Sequence, residues 1–380
     1  MMVTRAYQFR IYPSEEQQVL ILKTIGCSRF IYNQMLAKKK QNISLSKFDL
    51  NKEIPSFCEE YSFLSEVDSM SLRNSVTDLC TSFDRYQKGL GGMPKFKKRG
   101  MKDSYRTNLI TSTYKGKVYE NIKIDFEKRT ITLPKLKEVS FRGYRHLKGL
   151  NGRIINATIK HIANKYYVFL CVEENIVLPE KRCENIVGID VGVKNLVVTS
   201  DNEFYGNPDY LKKYERKIKG LQKGLSRKQK GSKNYQKMKM KLAEVYRKLK
   251  NARKKKVEEI VNKITKTHDV IIAEKLKVKE MLNKKKNTKN LRKEITNATF
   301  SLILNHLKVK SLWQNKTFYQ IDTYYPSSRI CSQCGNIDNS MKDLSKRVYK
   351  CSKCGIEIDR DLNASINIKN EGMRKYLREV

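Results

Sequence analysis

The chain lacks the long apolar runs that membrane proteins need. No stretch of about 18 residues is uninterruptedly apolar, which is roughly the minimum for a membrane-spanning helix. The N-terminal residues also lack the apolar core of a secretory signal peptide. We therefore expect a cytoplasmic protein that is neither secreted nor inserted into a membrane.

Acidic residues are scarce relative to basic ones. The 380 residues contain 39 Asp and Glu against 79 Lys and Arg, which gives a net charge of +40 at pH 7. A charge this large repels itself unless an anionic partner neutralises it. Nucleic acid is the first candidate, because phosphates compensate many basic contacts through counterion release. An anionic membrane surface is the second.

Proline is rare, and linkers are not visible. Only 7 prolines occur, and we find neither a Gly/Ser linker nor an internal repeat, so domain boundaries must come from changes of pattern. The length predicts two or three domains. Residues 6–12 alternate as in a strand, residues 15 to about 90 are mostly helical, and residues 105–173 have the short strands and turns of a small β-barrel.

A third pattern begins at Ile186, where apolar strands alternate with helices. The predicted strands are Ile186–Asp190, Leu196–Thr199, Val270–Ala273 and Thr317–Ile321, and the second is expected to be the hairpin partner of the first. Helices are predicted around residues 294–313 and from Asp359 onward. Residues 212–256 hold 20 Lys and Arg against Glu215 and Glu244, a net of +18. This segment predicts a helix pair that packs through its own apolar stripe and exposes a face for phosphates. The stripe consists of Leu242, Val245, Leu249 and Ala252.

Four of the nine cysteines have the spacing of a metal site. They form two C-x-x-C pairs: Cys331 with Cys334, and Cys351 with Cys354. Two such pairs at this separation favour a four-thiolate zinc site over buried or disulfide-bonded cysteines. Gly335 and Gly355 follow the pairs, where a knuckle turn often needs positive φ. The scattered cysteines are interpreted as small core residues in a reducing compartment: Cys27, Cys58, Cys80, Cys171 and Cys183.

Three carboxylates end or begin predicted elements of the third region. Asp190 and Glu274 follow apolar strands, and Asp361 lies in the first turn of the last helix. A carboxylate at the edge of a buried strand must be solvated, paired or metal-bound. Three that converge would suit Mg²⁺, and two such ions about 3.5–4 Å apart can hydrolyse a phosphodiester.

Several segments together resemble one family. They are Tyr7–Pro13, Pro94–Lys97, Gly188–Leu196 (GIDVGVKNL), Ile271–Leu276 (IIAEKL), Pro326–Gly335 (PSSRICSQCG) and Asp359–Ile368 (DRDLNASINI). These motifs, in this order, look like the TnpB family of transposon-encoded RNA-guided nucleases, relatives of the type V CRISPR effectors. The resemblance covers nearly the whole chain.

The resemblance implies a multidomain α+β and α/β protein. Residues 1–13 and 96–183 would form a β-barrel wedge domain, and residues 14–95 a helical recognition domain. Residues 184–322 and 357–380 would form a RuvC-like nuclease domain of the RNase H fold, interrupted by a zinc ribbon at 323–356.

The resemblance also implies catalytic residues and partners. Asp190, Glu274 and Asp361 match the family's catalytic triad and would bind catalytic Mg²⁺, with two ions expected. The partners would be a guide RNA derived from the transposon end and target double-stranded DNA next to a short motif. We expect a monomer in a prokaryotic ribonucleoprotein. The basic loop residues are candidate nucleic-acid contacts: Lys95, Lys97, Lys98 and Arg99.

Two alternatives remain at this point. A protein-only transposase or resolvase-like nuclease would use the same fold without RNA. A nuclease-inactive RNA-guided repressor, or a zinc-ribbon DNA-binding protein, would lack at least one acid of the triad, and all three are present. Gly188 and Gly192 do not belong to a P-loop, because no Gly-Lys-Ser/Thr follows them.

Overall fold

The alternating N-terminal residues form the first strand, which is followed by a capped helix. In a computed structural model of the chain, Met2–Tyr12 forms β1, and the side chains of Val3, Phe9 and Ile11 are buried. Ser14 then caps the first helix: the backbone N–H of Gln17 donates to its hydroxyl, and the side chain of Gln17 accepts from the backbone N–H of Ser14. The predicted strand and helix start are confirmed.

The structure describes most of the chain. The described residues are 1–100, 103–114, 116–142, 152–283, 292, 295–296, 298–343 and 345–379. The chain folds into two compact units, Met1–Val177 and Leu178–Val380.

The first unit combines helices with antiparallel strands. Its helices are α1 (Glu15–Gln41), α2 (Lys47–Lys52), α3 (Ile54–Glu60) and α4 (Ser69–Gln87). Its further strands are β2 (Ser104–Asn108), β3 (Thr111–Tyr114), β4 (Lys117–Glu120), β5 (Lys123–Asp125), β6 (Thr130–Leu133), β7 (Lys137–Arg142), β8 (Gly152–Ile162) and β9 (Lys165–Asn175). One apolar cluster lies on the sheet, and another lies between α1 and α4.

Seven strands of this unit form one sheet. Their order is β2-β8-β9-β1-β7-β6-β5, and every neighbouring pair is antiparallel. Among the described residues, no pairing joins β2 to β5. Closure into a barrel therefore stays a prediction.

The second unit is built on a mixed sheet. Its strands are β10 (Ile186–Asp190), β11 (Asn195–Thr199), β12 (Phe204–Gly206), β13 (Val270–Glu274) and β14 (Thr317–Ile321). The order is β12-β11-β10-β13-β14, with β10, β13 and β14 parallel. The predicted hairpin partner β11 is antiparallel to β10, as expected.

Helices cover both faces of this sheet. The described helices of this unit are α5 (Tyr210–Ser226), α6 (Lys233–Thr267), α7 (Val278–Asn283), α8 (Phe300–Trp313) and α9 (Arg360–Glu379). Because side chains alternate along a strand, Val187 and Ile189 pack with α6 and α8, whereas Val270 and Ile272 pack with Ile368 of α9. The result is a layered mixed α/β unit.

The basic helix pair is confirmed as α5 and α6. Val245 and Leu249, two members of the predicted stripe, are buried against Ile218 of α5. The helix predicted around 294–313 begins at Phe300, and residues 293, 294 and 297 lie outside the described residues. Within the described ranges, no helix combines the length and apolarity of a membrane span.

The four-domain division drawn from the sequence stays a prediction. The last segment before α9 is a small module around the cysteines, which includes β15 (Val348–Lys350) and β16 (Glu357–Asp359), paired antiparallel.

Candidate functional site: a carboxylate edge beside a four-cysteine cluster

Two of the predicted acids end adjacent parallel strands. Ile189 of β10 is in register with Ala273 of β13, so Asp190 and Glu274 are the next residues on neighbouring strands. Glu274 in turn is in register with Ile321 of β14. Since parallel strands end at one edge of a sheet, both carboxylates lie at this edge.

The third acid reaches this edge because α9 crosses β10 at a glycine. A Cβ atom on Gly188 would lie 2.2 Å from the carbonyl oxygen of Ser365 and 2.6 Å from the backbone nitrogen of Lys369. Only glycine permits this approach. Asp190 is two residues from Gly188 and shares its face of the sheet. Asp361 is one helical turn before Ser365, so it lies toward Asp190.

The charges of the three acids interact through Asp190. Burial, and then repulsion from Asp361, raises the pKa of Asp190 to about 7. Burial, and then Asp190, raises the pKa of Glu274 to about 8. Burial and the neighbouring Asp359 raise the pKa of Asp361, although Arg347 and Arg360 oppose this. Burial and repulsion between neighbouring carboxylates both disfavour the ionised form of these acids. A bound cation would offset both effects.

Asp359 has a different role from Asp361. Its carboxylate accepts hydrogen bonds from the backbone N–H groups of Asp361 (2.9 Å) and Leu362 (3.1 Å). It therefore caps α9, which begins at Arg360 rather than at Asp359. The carboxylate of Asp361 lies 3.9 Å from the guanidinium of Arg347. The carboxylate of Asp359 is thus engaged by the helix start, and Asp361 stays the candidate acid that the sequence indicated.

The four predicted cysteines come together. Their sulfur atoms all lie within 4.8 Å of one another, with 3.6 Å between Cys331 and Cys354 and 3.5 Å between Cys334 and Cys351. A disulfide would need about 2.0 Å, whereas tetrahedral zinc with bonds of about 2.3 Å separates sulfurs by about 3.8 Å. The donor set thus fits zinc.

The knuckle turns have the expected geometry. Gly335 and Gly355 have φ of 73° and 75°. Each donates its N–H to the carbonyl of the first cysteine of its pair, at 3.0 Å in both cases. Within the described ranges, no set of three carboxylates is drawn together as closely as these sulfurs.

Buried side chains of α9 bind the cysteine module. The amide of Asn363 donates to the carbonyl of Ile330 (2.7 Å) and accepts from the N–H of Ser332 (2.9 Å). Asn367 donates to Ile330 (2.6 Å) and to Ser327 (2.8 Å). Both asparagines are at least 96 % buried. The first knuckle is therefore fixed to the first two turns of α9, the helix that carries Asp361.

Arg360 ties the second half of the module to the same helix. Its guanidinium donates to the carbonyl oxygens of Asp343 (3.0 Å) and Lys346 (3.4 Å). Sequence reasoning missed these links. The available indication was two asparagines spaced four residues apart after an aspartate, a spacing that places both on one face of a helix.

The basic loop that holds Lys95, Lys97, Lys98 and Arg99 belongs to the first unit, whereas the three acids belong to the second unit. The side chain of Asn33 binds both backbone groups of Lys97, at 3.1 and 2.8 Å. Lys95, Lys97 and Lys98 line a cavity of about 470 Å³ between α1, α4 and β2, and Arg99 does not line it. Lys95, Lys98 and Arg99 are exposed.

Known families match three parts of the chain. A family described as "Probable transposase" (OrfB_IS605) matches residues 169–285, and "Cas12f1-like, TNB domain" matches residues 300–368. A "Helix-turn-helix domain" associated with the first family matches residues 1–47, which here form β1, α1 and the start of α2.

Two curated relatives align over almost the whole chain. "Putative RNA-guided DNA endonuclease InsQ" of Escherichia coli (strain K12) is 26% identical over 390 residues, covering 97% of this chain and 92% of its own. "Putative RNA-guided DNA endonuclease" of Streptomyces pristinaespiralis is 27% identical over 380 residues, covering 98% and 90%. The resemblance to the TnpB family that the motifs indicated is therefore confirmed by similarity over almost the whole chain.

A solved structure extends the likeness to the fold. The protein in the Cas12f1-sgRNA-target DNA complex is similar, with a TM-score of 0.59 and 15% identity over 97% of this chain and 99% of that one. At this identity the similarity concerns the fold. This similarity is consistent with the mixed α/β architecture of the second unit.

Proposed function

We propose that this protein is a metal-dependent, RNA-guided DNA endonuclease. The observation that carries the proposal is that Asp190 interacts electrostatically with both Asp361 and Glu274 at the sheet edge, and that the pKa of each of the three acids is raised. The names of the relatives, RNA-guided DNA endonucleases, support the same function.

The acids would act as ligands of catalytic magnesium. The donor set fits, because three half-buried carboxylates with raised pKa values are stabilised by a divalent cation. Bound there, two Mg²⁺ ions would supply an activated water and stabilisation of the leaving oxygen of a phosphodiester. Asp190 and Glu274 are fixed by their strands, and Asp361 by the crossing of α9 over Gly188.

The cysteine module would have a structural role. Zinc held by Cys331, Cys334, Cys351 and Cys354 would stabilise a module too small to form a large core. Through Asn363 and Asn367, the module would keep the start of α9, and so Asp361, in place.

Guide RNA would neutralise much of the positive charge. Helices α5 and α6 lie within the most basic part of the chain, where residues 212–256 carry a net +18. Such a surface binds phosphates without reading sequence, so specificity would come from base pairing to the guide. Recognition of a short flanking DNA motif by the protein, and the wedge, recognition and RuvC-like domains, belong to the same proposal.

The test is guide dependence of cleavage. Protein purified with its RNA is stripped at high salt and assayed on a matched plasmid with magnesium, with and without the guide added back. Cleavage restored by the guide alone, and lost with a mismatched plasmid, supports the proposal, and Glu274→Gln serves as the inactive control. Site-specific cleavage without RNA would instead indicate a protein-only nuclease. Guide-dependent binding without cleavage would indicate a repressor.

A further inference from the structure

Tyr324 is the most exposed aromatic side chain among the described residues. Its relative exposure is 77 %, against 68 % for Phe48 and 64 % for Tyr114. A ring this exposed contributes little to a core. Its position therefore calls for another explanation.

The ring lies at the carboxylate edge of the second sheet. Tyr324 follows β14 by three residues, and Ile321, the last residue of β14, is in register with Glu274. The backbone N–H of Lys275 donates to the carbonyl of Ile321 at 3.1 Å, which extends this pairing beyond Glu274. Tyr324 thus emerges at the same end of the sheet as the acid.

The turn that carries the ring is held in place. The N–H of Tyr325 donates to the carbonyl of Asp322 at 3.3 Å, and the N–H of Ser327 donates to the carbonyl of Tyr325 at 2.8 Å. The carboxylate of Asp322 pairs with Lys375 of α9. A ring on a fixed turn is a better platform than one on an unrestrained loop, because less freedom is lost on binding.

A lysine from the neighbouring strand end accompanies the ring. The ammonium of Lys277 lies 5.6 Å from the centre of the Tyr324 ring and 3.2 Å from the carboxylate of Glu280. Lys275 and Lys277 are both exposed. An aromatic face with adjacent lysines is the combination that proteins use to bind single strands, with stacking for the base and cations for the backbone.

We propose that Tyr324 and Lys277 bind one unpaired nucleotide of the DNA strand that is to be cut. The ring of Tyr324 stacks on the base, and Lys277 contacts an adjacent phosphate. The nucleotide must be unpaired and unstacked, because both faces of a base inside a duplex are covered by its neighbours. This inference rests on the proposed nuclease function. The ring lies at the sheet edge of Glu274, so a nucleotide bound there belongs to the DNA strand that is cut only if this edge is the nuclease site.

The magnitude follows from the contribution of one stacked base. Alanine substitution of a stacking aromatic residue weakens binding about 5- to 150-fold. Tyr324→Ala should raise the half-saturating concentration of a single-stranded substrate by a factor in this range, with a smaller change in the maximal rate. Tyr324→Trp, which keeps a stacking face, should remain within about 3-fold of the unaltered protein. The melting temperature should not change, because the ring is exposed.

The experiment uses the protein with its RNA, in magnesium-free buffer, and a single-stranded oligonucleotide that carries one 5-iodouracil. Irradiation should crosslink the base to the peptide 317–329, at Tyr324. The crosslink should be lost in Tyr324→Ala and kept in Tyr324→Trp. Phe48→Ala is the matched control, because Phe48 in the first unit is also an exposed ring with a lysine, Lys52, 4.5 Å from its centre. It should leave the crosslink unchanged.

Several outcomes overturn the inference. They are an unchanged substrate dependence of Tyr324→Ala, equal losses in Tyr324→Ala and Tyr324→Trp, and a stronger crosslink to duplex than to single-stranded DNA. The proposed function fails separately. If the protein never cleaves but the crosslink requires Tyr324, the stacking site stands and the nuclease is refuted. If guided cleavage is entirely normal in Tyr324→Ala, the nuclease proposal stands and the stacking site is refuted.

Discussion

Asn363 links the cysteine module to the helix that carries Asp361, and its replacement tests that link. Asn363→Ala removes the hydrogen bonds to Ile330 and from Ser332. Each bond contributes about 1 kcal/mol, and leaving the N–H of Ser332 without its partner adds about 1 kcal/mol or more. The carbonyl of Ile330 keeps its bond from Asn367. We expect a loss of about 2–4 kcal/mol in the free energy of unfolding.

The assay is denaturant unfolding of the zinc-loaded protein, together with the rate of zinc transfer to a chromogenic chelator. Asn363→Ala should release zinc faster and cleave DNA more slowly, because both depend on the seating of the module on α9. Asn370→Ala is the matched control: it lies on the same helix and is exposed, so it should change stability by less than about 0.5 kcal/mol. Unaltered stability and zinc release in Asn363→Ala would refute the reasoning.

Three further perturbations test separate parts of the structure. Cys331→Ser should lose zinc, measured by elemental analysis, and unfold the module, whereas less than about half a zinc per chain in the unaltered protein would contradict a four-cysteine site. Gly188→Ala should cost about 3 kcal/mol or more, because its Cβ would lie 2.2 Å from the backbone of α9. Gly220→Ala, with open space around it, should not destabilise, and equal stability of the two variants in denaturant would disprove the close contact. Since the folded-state pKa of Asp190 is raised to about 7 and that of Glu274 to about 8, the magnesium-free folded protein binds more protons than the unfolded chain between about pH 4 and 8, and its stability falls as the pH rises. Asp190→Asn should flatten that decline and raise the melting temperature at pH 8, and a lower melting temperature would contradict the repulsion.

The strands of the second unit were predictable because of where they lie. Ile186–Asp190 and Thr317–Ile321 have the predicted bounds in the structure. A strand covered on both faces, as Ile186–Asp190 is, is continuously apolar, and a charged residue marks its end. The cysteine spacing was predictable for a similar reason, since a knuckle is a local structure that its own residues determine.

Long-range contacts were not accessible from the sequence. Nothing local to Gly188 says that α9 passes over it, and nothing local to Asn363 says that its amide meets the backbone of Ile330. The role of Asp359 as a cap also needed the structure, because two aspartates in one helix start are equivalent in sequence. The proximity of Asp190 to Glu274 depends on the register of two strands about 80 residues apart in sequence, which short patterns do not encode.

The most direct test of the central claim compares the four acids in one single-turnover assay. Protein with matched RNA and zinc content is mixed with guide-matched DNA and magnesium, and the cleavage rate is measured for Asp190→Asn, Glu274→Gln, Asp361→Asn and Asp359→Asn. The account predicts a loss of at least about 1,000-fold for the first three, with DNA binding retained, because removing a ligand disrupts the metal site. Asp359→Asn, which can still cap the helix, should lose much less. Near-normal cleavage by any of the first three, or a complete loss confined to Asp359→Asn, would contradict it.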